Sequence, residues 1–341
     1  MSGALSDSGL DNSADDGVAK NTGVSDMLGI SSSWFAMKGL SIRESIEKGF
    51  EMGFELVELG AAHKYEENAV ETVMELRKKY PDKKFTIHAL FPPVKINAEK
   101  TNAIGENNTE GPKNHSNARG HHYVLNLADN KEHEATIKCV KKMFDIADHI
   151  NAEMIGIHGG YAGEVRFVEG ALGFETLMMK NPIPLEEAKR NMTVIIQELV
   201  NMAEERGTKL AVEISPPLDC GPLMTNLEDF EWLFSNFKSK YLGLLLDVGH
   251  LHLSAKKEGY DLYEFLKKFK GKLFELHLHD IKDGRDHSAF GTGEIDFEKH
   301  VKIIGRAKLK KIPIVFEYNS SVTEQQTLDG KLRVEKLLAG R

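Results

Sequence analysis

The sequence predicts a (β/α)₈ barrel, on three observations. Eight strand-like apolar runs alternate strictly with amphipathic stretches. Strict alternation argues for a parallel sheet, and eight repeats argue for its closure. No glycine-rich turn follows the first run, between Gly29 and Ser33, where a doubly wound sheet would usually carry one. The chain has 341 residues; without a polar N-terminal tail and one insertion roughly 280 remain, an ordinary barrel length.

Residues 1–26 set Asp7, Asp11, Asp15, Asp16 and Asp26 against the single Lys20 and show no hydrophobic period. They read as a disordered acidic tail, with one barrel domain over 27–341. The strand runs are Met27–Ser31, Phe54–Leu59, Lys84–Ala89, Glu153–His158, Lys209–Ile214, Leu242–Asp247, Lys272–His279 and Ile312–Glu317. The helical stretches are Leu40–Met52, Tyr65–Lys79, Lys131–Ile150, Leu185–Arg206, Leu227–Phe237, Tyr260–Lys270, Phe297–Ala307 and Thr323–Leu338. Pro184 stands where a first helical turn accepts it, and Gly207 where that helix should stop. The polar stretch Pro92–His122 follows the third strand and is an insertion over the active face. It reads equally as a lid or as a solvated excursion. Gly159–Pro184 is a second long loop and includes Arg166, a cation that could read a phosphate.

Composition excludes several classes. At 41% hydrophobic and 28% charged residues the chain is an ordinary globular protein, not a fibrous or fully disordered one. It has no apolar run long enough to span a bilayer. The net charge of −8 disfavours the chain as a whole as an electrostatic binder of nucleic acid or anionic membranes. Two cysteines, Cys139 and Cys220, with no CxxC pair and no signal pattern, place it in a reducing cytoplasm. A small-molecule partner is expected, and a homo-oligomer is compatible with the composition.

In a barrel the C-terminal strand ends face the active site. Those ends here are His88, His158, Glu213, Asp247, His277 with His279, and Glu317. Alternation puts Ala211 under Glu213, Leu245 under Asp247 and Val315 under Glu317, so an apolar residue fills the interior and a carboxylate sits at the rim. Singly, a histidine there is more often a hydrogen-bonded structural residue, and a glutamate as often a rim salt bridge. Jointly, three carboxylates on one mouth repel and are desolvated unless positive charge sits among them. A divalent cation (Mn²⁺, Co²⁺, Mg²⁺ or Zn²⁺) suits such a mixture of oxygen and imidazole ligands. His63, His133, His149 and His300 read as surface residues on helices or their flanks; Trp34 and Phe35 read as pocket wall or as core.

The segments Val212–Pro217, Leu245–His250, His277–Asp280, Gly284–Phe297 and Val315–Asn319 resemble the xylose-isomerase-like TIM barrels. That superfamily includes sugar and sugar-phosphate isomerases and epimerases, and endonuclease IV. The resemblance spans roughly 27–338 and implies roles residue by residue. In the epimerase branch the metal ligands match Glu213, Asp247, His277 and Glu317, and His250 matches a substrate contact. In endonuclease IV, whose zinc site is trinuclear, further ligands match His88, His158, His250 and His287. This chain departs there, because Asp286 is adjacent to His287 rather than two residues before it. Phe91 fills an aromatic slot that either stacks on substrate or packs the loop. His279 and Arg166 are also placed with the substrate. The resemblance implies a metal-dependent isomerase or epimerase of a small sugar, sugar phosphate or related hydroxy-carbonyl compound, working by proton transfer through an enediolate. Glu213 and Glu317 end strands three apart, so they can flank the substrate and move the proton. The alternative is an endonuclease IV-like phosphodiesterase acting on abasic DNA; a third reading is a barrel that binds ligand without turnover.

Overall fold

The computed structural model describes residues 27–94, 125–169 and 175–340. The tail 1–26 and residues 95–122 of the insertion lie outside them. Among the described residues eight parallel strands close into a barrel: β1 (Leu28–Ser31), β2 (Leu56–Leu59), β3 (Lys84–His88), β4 (Ile155–His158), β7 (Leu210–Glu213), β8 (Leu242–Asp247), β9 (Leu273–Leu278) and β12 (Ile314–Phe316). Each strand pairs with its sequence neighbours, and β1 closes the ring against β12 through Leu28 opposite Ile314. No helix among these residues is long and apolar enough to cross a membrane.

Helices cover the outside because their apolar faces match the outward faces of the strands. Helix Ile42–Glu51 starts in a capping box, with Ser41 accepting from the Glu44 N–H and the Glu44 side chain answering to Ser41. It turns Ile42, Ile46 and Phe50 onto the barrel. Helix Leu185–Arg206 stops at Gly207, whose φ of 69° is a conformation that side chains resist. Burying one such Leu, Ile or Phe is worth about 1.5–3 kcal/mol, and these contacts hold the shell together.

The inside of the barrel is filled differently. Met154, Ala211 and Leu245 form a small separate cluster there. Gly156 on β4 has no room for more: a Cβ would meet Leu245 Cδ1 at 2.5 Å and His88 Cδ2 at 2.9 Å. The missing side chain is what admits the His88 ring.

Four features depart from the sequence reading. The expected loop Gly159–Pro184 is largely an antiparallel hairpin, β5 (Gly163–Glu169) with β6 (Glu175–Pro182). A second hairpin, β10 (Asp280–Lys282) with β11 (Arg285–Ser288), follows β9. Helix Val248–Glu258 went unread because its N-cap, Asp247, is also the last residue of β8 and reads in the sequence only as a strand end. The stretch Phe297–Ala307 divides at Gly305, φ 94°, into Phe297–Ile304 and Arg306–Leu309. His63 and His300, expected at the surface, are buried to 1% exposure under neighbouring aromatic rings. Trp34 and Phe35 are core residues.

Candidate metal centre and active site

The strand ends converge as the topology demands. Around the ring, Glu213 after β7 and Glu317 after β12 are separated by β8 and β9. Glu213, Asp247, His277 and Glu317 each bring one ligand atom within 4.8 Å of the others. Asp247 also caps the following helix, accepting the His250 N–H at 2.7 Å. The Asp-x-x-His spacing therefore places the imidazole beside the carboxylate through one helical turn.

Glu213 is the hub. Its Oε2 lies 2.9 Å from His88 Nε2 and 2.9 Å from His158 Nδ1, while Oε1 lies 3.3 Å from His250 Nδ1. Burial alone would raise its pKa, but His158 and His88 hold it well below the usual carboxylate range. Burial alone would lower His88, but Glu213 pushes it up to about 9. His277 is wholly buried between two acids, with Nε2 2.8 Å from Glu58 Oε2 and Nδ1 2.9 Å from Glu317 Oε2. These acids overcome burial and raise it. Glu317 is the more open carboxylate, 18% exposed, and also faces His287 Nε2 at 3.5 Å.

Two buried atoms here have no hydrogen-bond partner, Glu213 Oε1 and His277 Nδ1; the latter is near Glu317 but not aligned with it. Both belong to the same four-residue group. An oxygen and an imidazole nitrogen left unsatisfied among carboxylates fit a divalent cation. Asp247, His250, His279 and His287 form a second group within 4.8 Å, and His88, Glu213 and His277 a third.

Several residues sit differently from expectation. His88, expected as a strand-end residue and candidate ligand, packs edge-on against His277 at 5.0 Å and faces the Glu213 carboxylate. His279, expected against substrate, is wholly buried with both nitrogens engaged. Nδ1 accepts the His287 N–H at 2.9 Å, so Nε2 carries the proton and donates to Asp247 at 2.9 Å. Its ring stacks on His287 at 4.2 Å and lies against Gly249. It orients Asp247 rather than a ligand. Phe91 is buried in the core, edge-on to His63. Arg166 lies on β5, its side chain outside the described residues.

Three residues went unread. Glu58 and Glu275 are fully buried inside the barrel, and Thr86 Oγ1 donates to Glu275 Oε1 at 3.1 Å. The alternation that put Leu245 under Asp247 puts Glu275 under His277, and that carboxylate in an apolar run was a readable signal. Asp280 accepts backbone N–H groups from Ile281, Gly291, Gly293 and Ile295 at 2.8–3.1 Å, which ties down the loop carrying His287.

A pH dependence follows. His88 is raised from 6.5 to about 9, so the stability it contributes is full below 6.5 and lost as pH rises through 9. Glu275, raised from 4.5 to about 8 by burial and by Glu58, acts with the same sign at lower pH. The chelator-treated chain should therefore melt at progressively lower temperature between pH 6.5 and about 9. A flat melting profile over that interval would contradict the His88–Glu213 pairing.

The molecule is a closed parallel barrel with carboxylates and imidazoles gathered at its C-terminal mouth in groups that could hold a cation. The chain belongs to the xylose isomerase-like TIM barrel family, whose model matches residues 46–336. It is similar to inosose isomerase of Bacillus subtilis (strain 168), 26% identical over 136 residues; the match covers 38% of this chain and 46% of that protein, less than half its length. Among solved structures it is similar to a D-tagatose 3-epimerase-like protein, TM-score 0.62 and 21% identity, covering 92% of this chain and 98% of that one. It is also similar to the IOLI protein with a bound zinc atom, TM-score 0.60 and 17% identity, covering 92% and 98%. These structural likenesses establish the fold.

Proposed function

We propose that the protein is a divalent-metal-dependent isomerase or epimerase of a small hydroxy-carbonyl compound of the sugar class. The observation that carries this is the pairing of Glu213 and Glu317 in one ligand group with two unsatisfied buried atoms between strands three apart. Glu213, Asp247, His277 and Glu317 would hold the cation. When bound, it supplies Lewis acidity to a carbonyl oxygen and its neighbouring hydroxyl. Glu213, kept ionised by His158 and His88, accepts the proton α to the carbonyl. Glu317, reloaded from His287, returns a proton to the opposite face or the neighbouring carbon. His250, its Nδ1 also facing the Ile214 carbonyl at 3.1 Å, can offer Nε2 to a substrate oxygen. The names of the similar proteins, an inosose isomerase and a tagatose-epimerase-like protein, point the same way.

One observation favours a second reading. His88 and His158 on Glu213, with the group of Asp247, His250, His279 and His287, make a mouth rich enough for an endonuclease IV-like phosphodiesterase. Against it, Asp286 is adjacent to His287 rather than two residues before it. The test uses Mn²⁺- or Co²⁺-loaded protein with ketohexoses and inososes in deuterated water, and an abasic-site duplex in parallel. The expected result is carbon-bound deuterium in an isomerised product. His88→Ala should lower that turnover while leaving one tightly held cation per chain. Duplex cleavage that disappears in His88→Ala together with one zinc equivalent, without any exchange into sugars, would overturn the proposal.

A further inference from the structure

The mechanism above uses the rim of the barrel and leaves unexplained why two carboxylates lie beneath it. Glu58 on β2 and Glu275 on β9 are both 0% exposed, and each keeps one oxygen, Glu58 Oε1 and Glu275 Oε2, without a hydrogen-bond partner. Acids so placed are costly unless they do something that an apolar residue cannot. Their contacts are specific. Glu58 Oε2 lies 2.8 Å from His277 Nε2, and Glu275 receives the Thr86 hydroxyl. His277 is the imidazole of the candidate cation group, and its other nitrogen, Nδ1, faces Glu317 Oε2 at 2.9 Å and Glu213 Oε1 at 3.8 Å. With Nδ1 turned to the cation group, Nε2 is the nitrogen left to carry the hydrogen, and Glu58 Oε2 at 2.8 Å is placed to accept it. A ring held by that bond, with His88 packed against it at 5.0 Å, has one way to face the mouth.

We propose that Glu58 is a positioning residue of the cation centre: it holds the Nε2–H of His277 so that Nδ1 is the nitrogen presented to the ion. This rests on reading Glu213, Asp247, His277 and Glu317 as that centre. A carboxylate behind a ligating imidazole fixes the ring's orientation and makes its free nitrogen a stronger donor. His277 sits opposite Asp247 on β8 and Val315 on β12, and Glu58 reaches its Nε2 from β2 across the barrel interior.

The test is Mn²⁺ titration of the metal-stripped full chain for wild type, Glu58→Gln and Glu58→Leu, with a melting curve for each metal-free protein. Glu58→Gln is expected to weaken Mn²⁺ binding about ten-fold and Glu58→Leu about a hundred-fold. Metal-free Glu58→Gln should melt somewhat lower than wild type, because one of the two acids beside the buried His277 is lost, but Mn²⁺ affinity should fall by more than that loss accounts for. In Zn²⁺-loaded wild type the His277 Nε2–H should give a slowly exchanging downfield imidazole proton signal, absent from Glu58→Leu. Unchanged Mn²⁺ affinity in Glu58→Gln and Glu58→Leu overturns the proposal. So does a Glu58→Gln protein whose melting temperature falls in step with its affinity, since that is what a merely structural residue would give. Failure of the wild type to bind Mn²⁺ or Zn²⁺ overturns the reading of the centre itself, and is recognised before any variant is compared.

Discussion

Glu213→Gln is expected to abolish turnover, lowering kcat by about three orders of magnitude or more, in a protein that remains folded. Glu213 meets His88, His158 and His250 within 3.3 Å and is one of the four residues of the cation group. The amide keeps the volume but removes the charge that those imidazoles face and the oxygen that would take a proton. Glu317→Gln should have the same sign, since its carboxylate faces His277 and His287. Metal content should fall in both, while the circular dichroism spectrum is retained. Full activity in either single variant would remove that residue from the catalytic set.

Asp280→Ala is expected to be the most damaging single change in the loops, costing about 3 kcal/mol or more in stability. One buried carboxylate there organises backbone N–H groups of Ile281, Gly291, Gly293 and Ile295. Removing it leaves those donors without a partner, while the buried Ile281, Ala289 and Phe290 keep the segment packed on the core and set the upper limit of the loss. The consequence reaches the site. His287 sits at φ 51° at the hinge of this segment, its N–H on His279 and its carbonyl taking the Asn319 N–H at 2.9 Å. Released, it should no longer face Glu317. Chemical denaturation and metal titration of the variant measure both effects. An Asp280→Ala protein with wild-type stability would show that the loop is held by other contacts.

The barrel itself was legible because two periods dominate the chain. Strands buried on both faces read as short apolar runs, and helices carry a one-sided stripe. The rim was legible too, because a barrel strand puts its last inward residue at the mouth, so counting placed His88, His158, Glu213, Asp247, His277 with His279, and Glu317 there, and the resemblance singled out Glu213, Asp247, His277 and Glu317. The hairpin β5–β6 was missed although Glu164-Val165-Arg166-Phe167 alternates and Gly170 and Gly173 separate its strands, because an antiparallel pair lies outside the strand–helix repeat of the barrel. Helix Val248–Glu258 was hidden because it starts directly at the last strand residue, Asp247, which serves as strand end and helix cap at once.

The sequence by itself determined the closed parallel barrel and the identity of the acids and imidazoles at its mouth. Both follow from local periodicity and the direction of the strands. Only the tertiary structure decided what each of those groups touches. Six histidines lie close together around the mouth and in the sequence are chemically equivalent, yet packing divides them. His277 has one nitrogen on Glu58 and one toward the cation group, His279 has both engaged in holding Asp247 and the His287 backbone, and His88 occupies the space Gly156 leaves open. The reason is physical. A ring's role depends on which of its two nitrogens is already satisfied, and the partners that satisfy them come from strands tens or hundreds of residues away, 219 for His277 and Glu58.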